Sequence, residues 1–249
     1  MPHTIVCFGD SLTRGQVSAN FVDLLAGRFA ERGLIFINEG IDGDLSYNLV
    51  RRLPTTPPLQ MLAATILIGT NDINASLALG LFLIVRLGKW IYSRPNLAIY
   101  EQNLRQMIED LKARQTPHIL LASLPPLGED LESKANKRVQ RYNEVVRCVA
   151  AEQGTHYVPV FEALSAELKR LRPAGGRPYR GELMNTARLV YQRNYKKMAY
   201  NDIGASNDFV LLADGIHLNE RGAEIVAGVF EAVLNSILDH EPQAEPDSD

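Results

Sequence analysis

The sequence predicts an α/β fold, a mainly parallel five-stranded sheet with helices on both faces. Three observations predict it. Short apolar runs recur near 5–8, 34–38, 63–68, 118–122 and 156–160. Segments with apolar residues at helical spacing separate most of them. The run at 63–68, Ala-Ala-Thr-Ile-Leu-Ile, is apolar without alternation, as in a strand covered on both faces. Alternating strands and helices favour parallel pairing. Right-handed crossovers then bring the strand ends to one edge, where open α/β sheets hold their ligands.

Taken in order, the first run, Ile5-Val6-Cys7-Phe8, ends abruptly at Gly9-Asp10-Ser11. That puts the Ser11 hydroxyl where a strand hands over to a helix. A helix is expected over 20–32, since Phe21, Leu24, Leu25 and Phe29 share a face and Gly33 can stop it. The strand at 34–38 leads into a turn-rich loop, Glu39-Gly40-Ile41-Asp42-Gly43-Asp44. A short helix over 46–53 follows, then prolines. The strand at 63–68 ends in the polar turn Gly69-Thr70-Asn71-Asp72. The stretch from Leu77 to Tyr92 is apolar nearly all round and too short for a bilayer span, which needs about 20 residues. It reads as a helix packed on the domain or in a homo-oligomer contact, or as a lid or membrane-surface element.

An amphipathic helix is expected over 97–114, a strand over 118–122, a helix over 133–153 stopped by Gly154, and a short fifth strand over 156–160. The strand-helix rhythm breaks over 165–208. Within it, 182–200 reads as one helix. Over 165–200, Lys169, Arg170, Arg172, Arg177, Arg180, Arg188, Arg193, Lys196 and Lys197 are opposed only by Glu167 and Glu182, so this stretch is basic. It reads as a solvated face, or as an attractor of an anionic substrate or surface. Asn219 is placed to cap the last helix, which runs to about 238. The expected organisation is one domain over 1–240, with insertions near 75–96 and 165–208, and an acidic tail at 241–249.

Composition removes other classes. The 249 residues carry a net charge of −3, which gives no bias toward nucleic acid. Two cysteines, Cys7 and Cys148, make no disulfide framework, and no Cys/His cluster has metal-ligand spacing. No signal-peptide pattern precedes the first strand. With the sparse cysteines, this makes a cytoplasmic location the expectation.

Three other loops share the pattern of Ser11, a polar, Gly-containing turn: those of Gly43, Asn71 and the pair Asp214/His217. Acyl transfer needs this set. A hydroxyl is a weak nucleophile near neutral pH, so an imidazole must take its proton. His217 can do so while Asp214 fixes its other ring nitrogen. The N–H of Ser11, the N–H of Gly43 and the Asn71 amide can hold the oxyanion. Of the remaining histidines, His3, His118, His156 and His240 have no such setting. If His217 is the base, activity rises with pH through about 6.5, where free imidazole titrates.

On Phe8-Gly9-Asp10-Ser11-Leu12, on 38–44 with its Gly-x-x-Gly, on Gly69-Thr70-Asn71-Asp72 and on Asp214-Gly215-Ile216-His217-Leu218, the chain resembles the GDSL or SGNH hydrolases. The motifs follow the family's order over about 5–222. The resemblance implies a flavodoxin-like three-layer α/β/α sandwich and a serine esterase or lipase acting on small-molecule esters without a cofactor. It implies Ser11 as nucleophile, His217 as base, Asp214 as its partner, and Gly43 and Asn71 as oxyanion donors. Asp42 and Leu45 depart from the family's usual small residue and Ser/Thr, so Gly40 is the alternative donor. Deacetylation of carbohydrate, lysophospholipid cleavage and acyl transfer all fit the same site. Two rival classes use the same residues differently: a metal-dependent phosphoesterase on Asp10, Asp42, Asp44 and Asp72, or a non-catalytic binding module.

Overall fold

Thr4–Gly9 forms strand β1, buried from Ile5 onward. Two parallel neighbours flank it, β2 (Ile35–Gly40) and β3 (Ala63–Leu67). Next come β4 (His118–Ala122) and β5 (His156–Val158), also parallel. The order is β2-β1-β3-β4-β5. This is the flavodoxin-like arrangement, and its winding reverses between β1 and β3. The carboxyl ends of strands at such a switch point leave a crevice for a ligand. The computed structural model describes residues 4–55, 60–77, 94–180 and 183–240.

The helices in chain order are α1 (Ser11–Arg14), α2 (Phe21–Arg28), α3 (Ser46–Arg52), α4 (Thr70–Leu77), α5 (Leu97–Ala113), α6 (Lys134–Gln153), α7 (Val160–Leu171), α8 (Leu183–Asn194), α9 (Tyr200–Ser206) and α10 (Glu220–His240). They sort into two layers: α2, α7 and α10 pack together, as do α3, α5 and α6. Aromatic pairs join the helices within each layer. Phe21 of α2 stacks on Phe230 of α10 with ring centroids 5.3 Å apart, and Tyr100 of α5 meets Tyr142 of α6 at 4.8 Å. Local chemistry sets several helix starts. The side chains of Asn20, Asn96 and Ser133 accept first-turn N–H groups. Asn219 does the same for Gly222, as its sequence position predicted.

The structure departs from the sequence reading at several boundaries. The helix expected over 20–32 stops at Arg28 and finishes as a separate 3₁₀ turn over Ala30–Arg32. β2 extends through Gly40, because pairing with β1 continues to Gly9↔Gly40. Asn71 lies in the first turn of α4 rather than in a loop. Val160, read as strand, starts α7. The single helix expected over 182–200 is two. Lys197 sits at φ +55°, and the Glu220 carboxylate accepts the N–H groups of Tyr200 and Asn201, capping α9 anew. Beyond Leu77 itself, the apolar stretch ending at Tyr92 lies outside the described residues, as does the tail at 241–249. No helix among the described residues is long and apolar enough to cross a membrane.

Candidate active site

The β1 exit carries Ser11 as the first residue of α1. Asp10 shapes the turn twice. Its Oδ1 accepts the Leu12 N–H at 3.0 Å, and its carbonyl accepts the Arg14 N–H at 2.9 Å. The end of β2 supports α1 directly. A Cβ on Gly40 would lie 2.3 Å from the Arg14 nitrogen and 2.8 Å from the Asp10 carbonyl oxygen, so only glycine fits. Asn38 braces the same spot, donating to the Thr13 carbonyl at 2.7 Å and accepting the Gly40 N–H at 3.0 Å. Gly40 is therefore engaged in packing and its N–H is taken, which removes it as the alternative oxyanion donor.

The loop before α10 brings the acid and base to Ser11. Ser11 Oγ lies 3.1 Å from His217 Nε2, and His217 Nδ1 lies 2.9 Å from Asp214 Oδ2. All three residues are buried. Asp214 Oδ1 accepts the N–H groups of Ile216 at 3.0 Å and His217 at 2.9 Å. Thr186 of α8 donates its hydroxyl to Asp214 Oδ2 at 2.9 Å. Burial alone would raise the Asp214 carboxyl. The His217 charge and these hydrogen bonds outweigh it and hold the group at about 2. Burial alone would likewise lower the His217 imidazole, but the Asp214 charge and hydrogen bond raise it above its ordinary 6.5. The expectation of a titration at 6.5 is thereby corrected upward, because that value ignored a buried anion in contact with the ring.

Gly43 and Asn71 come to the same place. Gly43 has φ +73°, a left-handed conformation in a turn tied to β1 by the Ile41 N–H on the Gly9 carbonyl. Its own N–H takes no partner among the described residues. Ser11, as the first residue of α1, has an N–H with no intrahelical acceptor. Asn71 Nδ2 donates to the Asp44 carbonyl at 3.0 Å, beside Gly43, and reaches Asp10 Oδ2 at a long 3.4 Å. The weaker contact is the one a developing oxyanion can replace. Burial pushes Asp10 up to about 7, opposed by the Leu12 N–H and His217 and aided by Asp72 and Asp44. Near neutral pH Asp10 is therefore shared between its neutral and ionised forms, and carries less negative charge beside the oxyanion than an ordinary carboxylate would.

The four acids of the phosphoesterase reading do not converge. Asp44 binds Arg52 at 2.8 Å, and Asp42 pairs with Arg14 at 3.5 Å. Asp72 accepts the Ser46 N–H and hydroxyl at 2.8 and 2.6 Å. No group of three His, Cys, Asp or Glu side chains suited to a metal occurs among the described residues. His118 and His156 face each other at 3.3 Å at the starts of β4 and β5, away from the ligand edge. Cys7 is buried in β1, and its thiol is pushed up to about 12 by that burial. Two cations of the basic 165–200 stretch are neutralised locally, Arg170 by Glu167 and Arg172 by Asp208.

Two residues at the site carried no sequence signal. One is Thr186, in a helix that read only as amphipathic. The other is Glu129, buried 81 positions before Val210, whose carboxylate accepts the N–H groups of Val210, Leu211 and Leu212 at 2.7 to 3.1 Å. The Gly128 N–H adds a 2.8 Å bond to the Gly215 carbonyl.

Residues 7–225 match the profile of the GDSL-like lipase/acylhydrolase family. The chain belongs to this family. As a GDSL hydrolase it is a carboxylic ester hydrolase, and its substrates are small-molecule esters. Among curated proteins, none matches the sequence. Solved structures share the GDSL hydrolase's fold at low identity. An α/β-hydrolase enzyme from the metagenome of Lake Arreo, Spain, superposes with a TM-score of 0.67 at 21% identity, over 93% of this chain and 94% of that one. The acetylxylan esterase of Geobacillus stearothermophilus gives 0.67 at 20% identity, over 93% of both chains. A further acetylxylan esterase gives 0.64 at 16% identity, over 93% of this chain and 99% of that one.

Proposed function

We propose that this GDSL hydrolase cleaves esters of short acyl groups, acetyl above all, through an acyl-enzyme on Ser11. The observation that carries the reading is the unbroken line Ser11 Oγ, His217 Nε2, His217 Nδ1, Asp214 Oδ2, with steps of 3.1 and 2.9 Å. Neutral His217 takes the Ser11 proton as Oγ attacks the ester carbonyl. The carbonyl electron pair moves onto oxygen, which the N–H groups of Ser11 and Gly43 and the Asn71 amide receive. Each such donor is typically worth about 10²–10³ in turnover. Imidazolium His217 then protonates the departing alcohol. Water attacks the acyl-Ser11 ester with His217 again as base, restoring the serine. Asp214 stays ionised and steadies the imidazolium.

The acetyl preference draws support from the acetylxylan esterases that share the fold. Catalytic mutants of the Geobacillus esterase replace a serine, an aspartate and a histidine, the last two at the spacing of Asp214 and His217. Ser11→Ala is expected to abolish p-nitrophenyl acetate hydrolysis and fluorophosphonate labelling while the thermal unfolding midpoint stays near that of the parent. Residual turnover at the parent rate would sink the assignment. A series of p-nitrophenyl esters should decline in kcat/KM from acetyl to longer chains. A rise toward long chains would instead favour lipid-type esters.

A further inference from the structure

Helix α4 starts with Asn71 beside the catalytic crevice and ends at a cleft of different chemistry. A cavity of about 320 Å³ lies there, lined by Ser76, Arg94, Leu97, Arg138, Arg141 and Tyr142 among others. Elsewhere Arg28, Arg52, Arg105, Arg147, Arg170 and Arg172 each hold a carboxylate. Among the described residues, Arg94, Arg138 and Arg141 hold none and no acid lines the cleft. Two of the three are aimed by the end of α4. Arg94 donates to the Ser76 carbonyl at 2.7 Å, and Arg138 donates to that carbonyl at 3.1 Å and to Ser76 Oγ at 2.9 Å. A guanidinium has five N–H donors, so most remain available.

Capping of α4 accounts for Arg94 and Arg138 but not for Arg141. Nor does it account for the start of α5 on the same wall. Asn96 caps Ile99 there, and the N–H groups of Leu97 and Ala98 have no intrahelical acceptor. The positive end of a 17-residue helix therefore adds to three guanidinium charges. Burial pushes the Tyr142 hydroxyl up to about 12 against the opposing effects of Ser76, Arg138 and Arg141, so it remains protonated. Like charges converging on one concavity repel unless an anion joins them.

We propose that this cleft is an anion site for a phosphate group, whose tetrahedral oxygens can accept from Arg94, Arg138 and Arg141 together. The phosphate is free or sits on a small monoester, or it is a lipid headgroup. The second source is suggested by the apolar stretch from Leu77 to Tyr92, which joins Ser76 to Arg94 in the chain. The site is separate from Ser11 and does not depend on the acyl specificity proposed above.

The test is thermal unfolding of the full chain in inorganic phosphate against sodium chloride at equal ionic strength. Phosphate should raise the midpoint saturably in the parent where chloride does not. Arg141 is exposed, so its replacement should fold. Arg141→Ala should weaken the apparent phosphate affinity about tenfold, and Arg141→Glu should remove the response. Hydrolysis of p-nitrophenyl acetate should stay unchanged in both, which keeps this result apart from the Ser11 proposal. Co-sedimentation with phosphatidylcholine vesicles containing phosphatidic acid separates the sources. Parent-only sedimentation, lost in Arg141→Glu, assigns the headgroup. No sedimentation with the phosphate response intact assigns the free or monoester form. A midpoint in phosphate equal to that in chloride, or a parent-like response in Arg141→Glu, would overturn the proposal.

Discussion

The turn carrying Ser11 is held by its own residues and by the strand beside it, whereas the loop carrying Asp214 and His217 is held from distant parts of the chain. At the nucleophile, Asp10 caps α1, and Gly40 and Asn38 of β2 press against it from below. At the acid-base loop, Glu129 gathers three successive N–H groups before Asp214. Thr186 holds the Asp214 carboxylate, and Asn207 donates to the Ala213 carbonyl at 3.0 Å. Backbone packing is stiff and unforgiving, while side-chain clamps can be removed one at a time. The two halves of the site should therefore fail differently when perturbed.

Gly40→Ala should have the largest effect. Its Cβ would meet backbone atoms of Arg14 and Asp10, which cannot swing aside as a side chain can. The expected cost is on the order of 3 kcal/mol, the upper part of the overpacking range. Activity should fall with it as α1 is displaced. Denaturant unfolding and kcat/KM together measure this. An unaltered midpoint would mean that the nucleophile turn is looser than its packing implies.

Glu129→Ala comes next. It leaves the N–H groups of Val210, Leu211 and Leu212 buried without their acceptor, a cost of about 1–3 kcal/mol. Part of this is returned, because burial raises the Glu129 carboxyl and its charge is itself costly to hold there. Turnover should drop at constant KM, since Asp214 shifts while the pocket around Ser11 does not. An equal loss in KM would place Glu129 in substrate binding instead.

Thr186→Val should leave stability nearly intact and change the pH profile. In the proposed mechanism neutral His217 is the active form, so the parent's activity should rise as pH passes upward through the imidazole value, which lies above 6.5. Removing the Thr186 hydroxyl leaves Asp214 with one hydrogen bond fewer and a stronger hold on the imidazolium. The acid limb should then move to still higher pH, with turnover lowered a few-fold. Thr186→Ser should restore both. A limb that moves downward, or not at all, would reduce Thr186 to packing.

Much of this comparison was legible in the sequence, but unevenly. The Gly-Asp-Ser turn, Asn71 and the Asp-x-x-His pair are short-range patterns, and together they name the chemistry. The edge on which they meet follows from the strand-helix alternation, because parallel strands share a direction. Boundaries were less secure. Val160 continued an apolar run in sequence yet starts a helix, and 182–200 kept a helical period across a break imposed by Glu220, some twenty positions away. Gly43 was the expected donor and Gly40 its alternative. The contact of Gly40 with Arg14 and the bond of its N–H to Asn38 separate them.

By itself the sequence determined the fold class and named the candidate nucleophile and base, since strand periodicity, glycine turns and ionisable residues act over a few positions. The tertiary structure decided which carboxyls burial raises, in which direction the base is shifted, and that Glu129 and Thr186 hold the acid-base loop. The first two depend on burial, and Thr186 and Glu129 act on partners 28 to 83 positions away. Desolvation and charge pairing arise only when the chain brings such groups together and excludes water from around them.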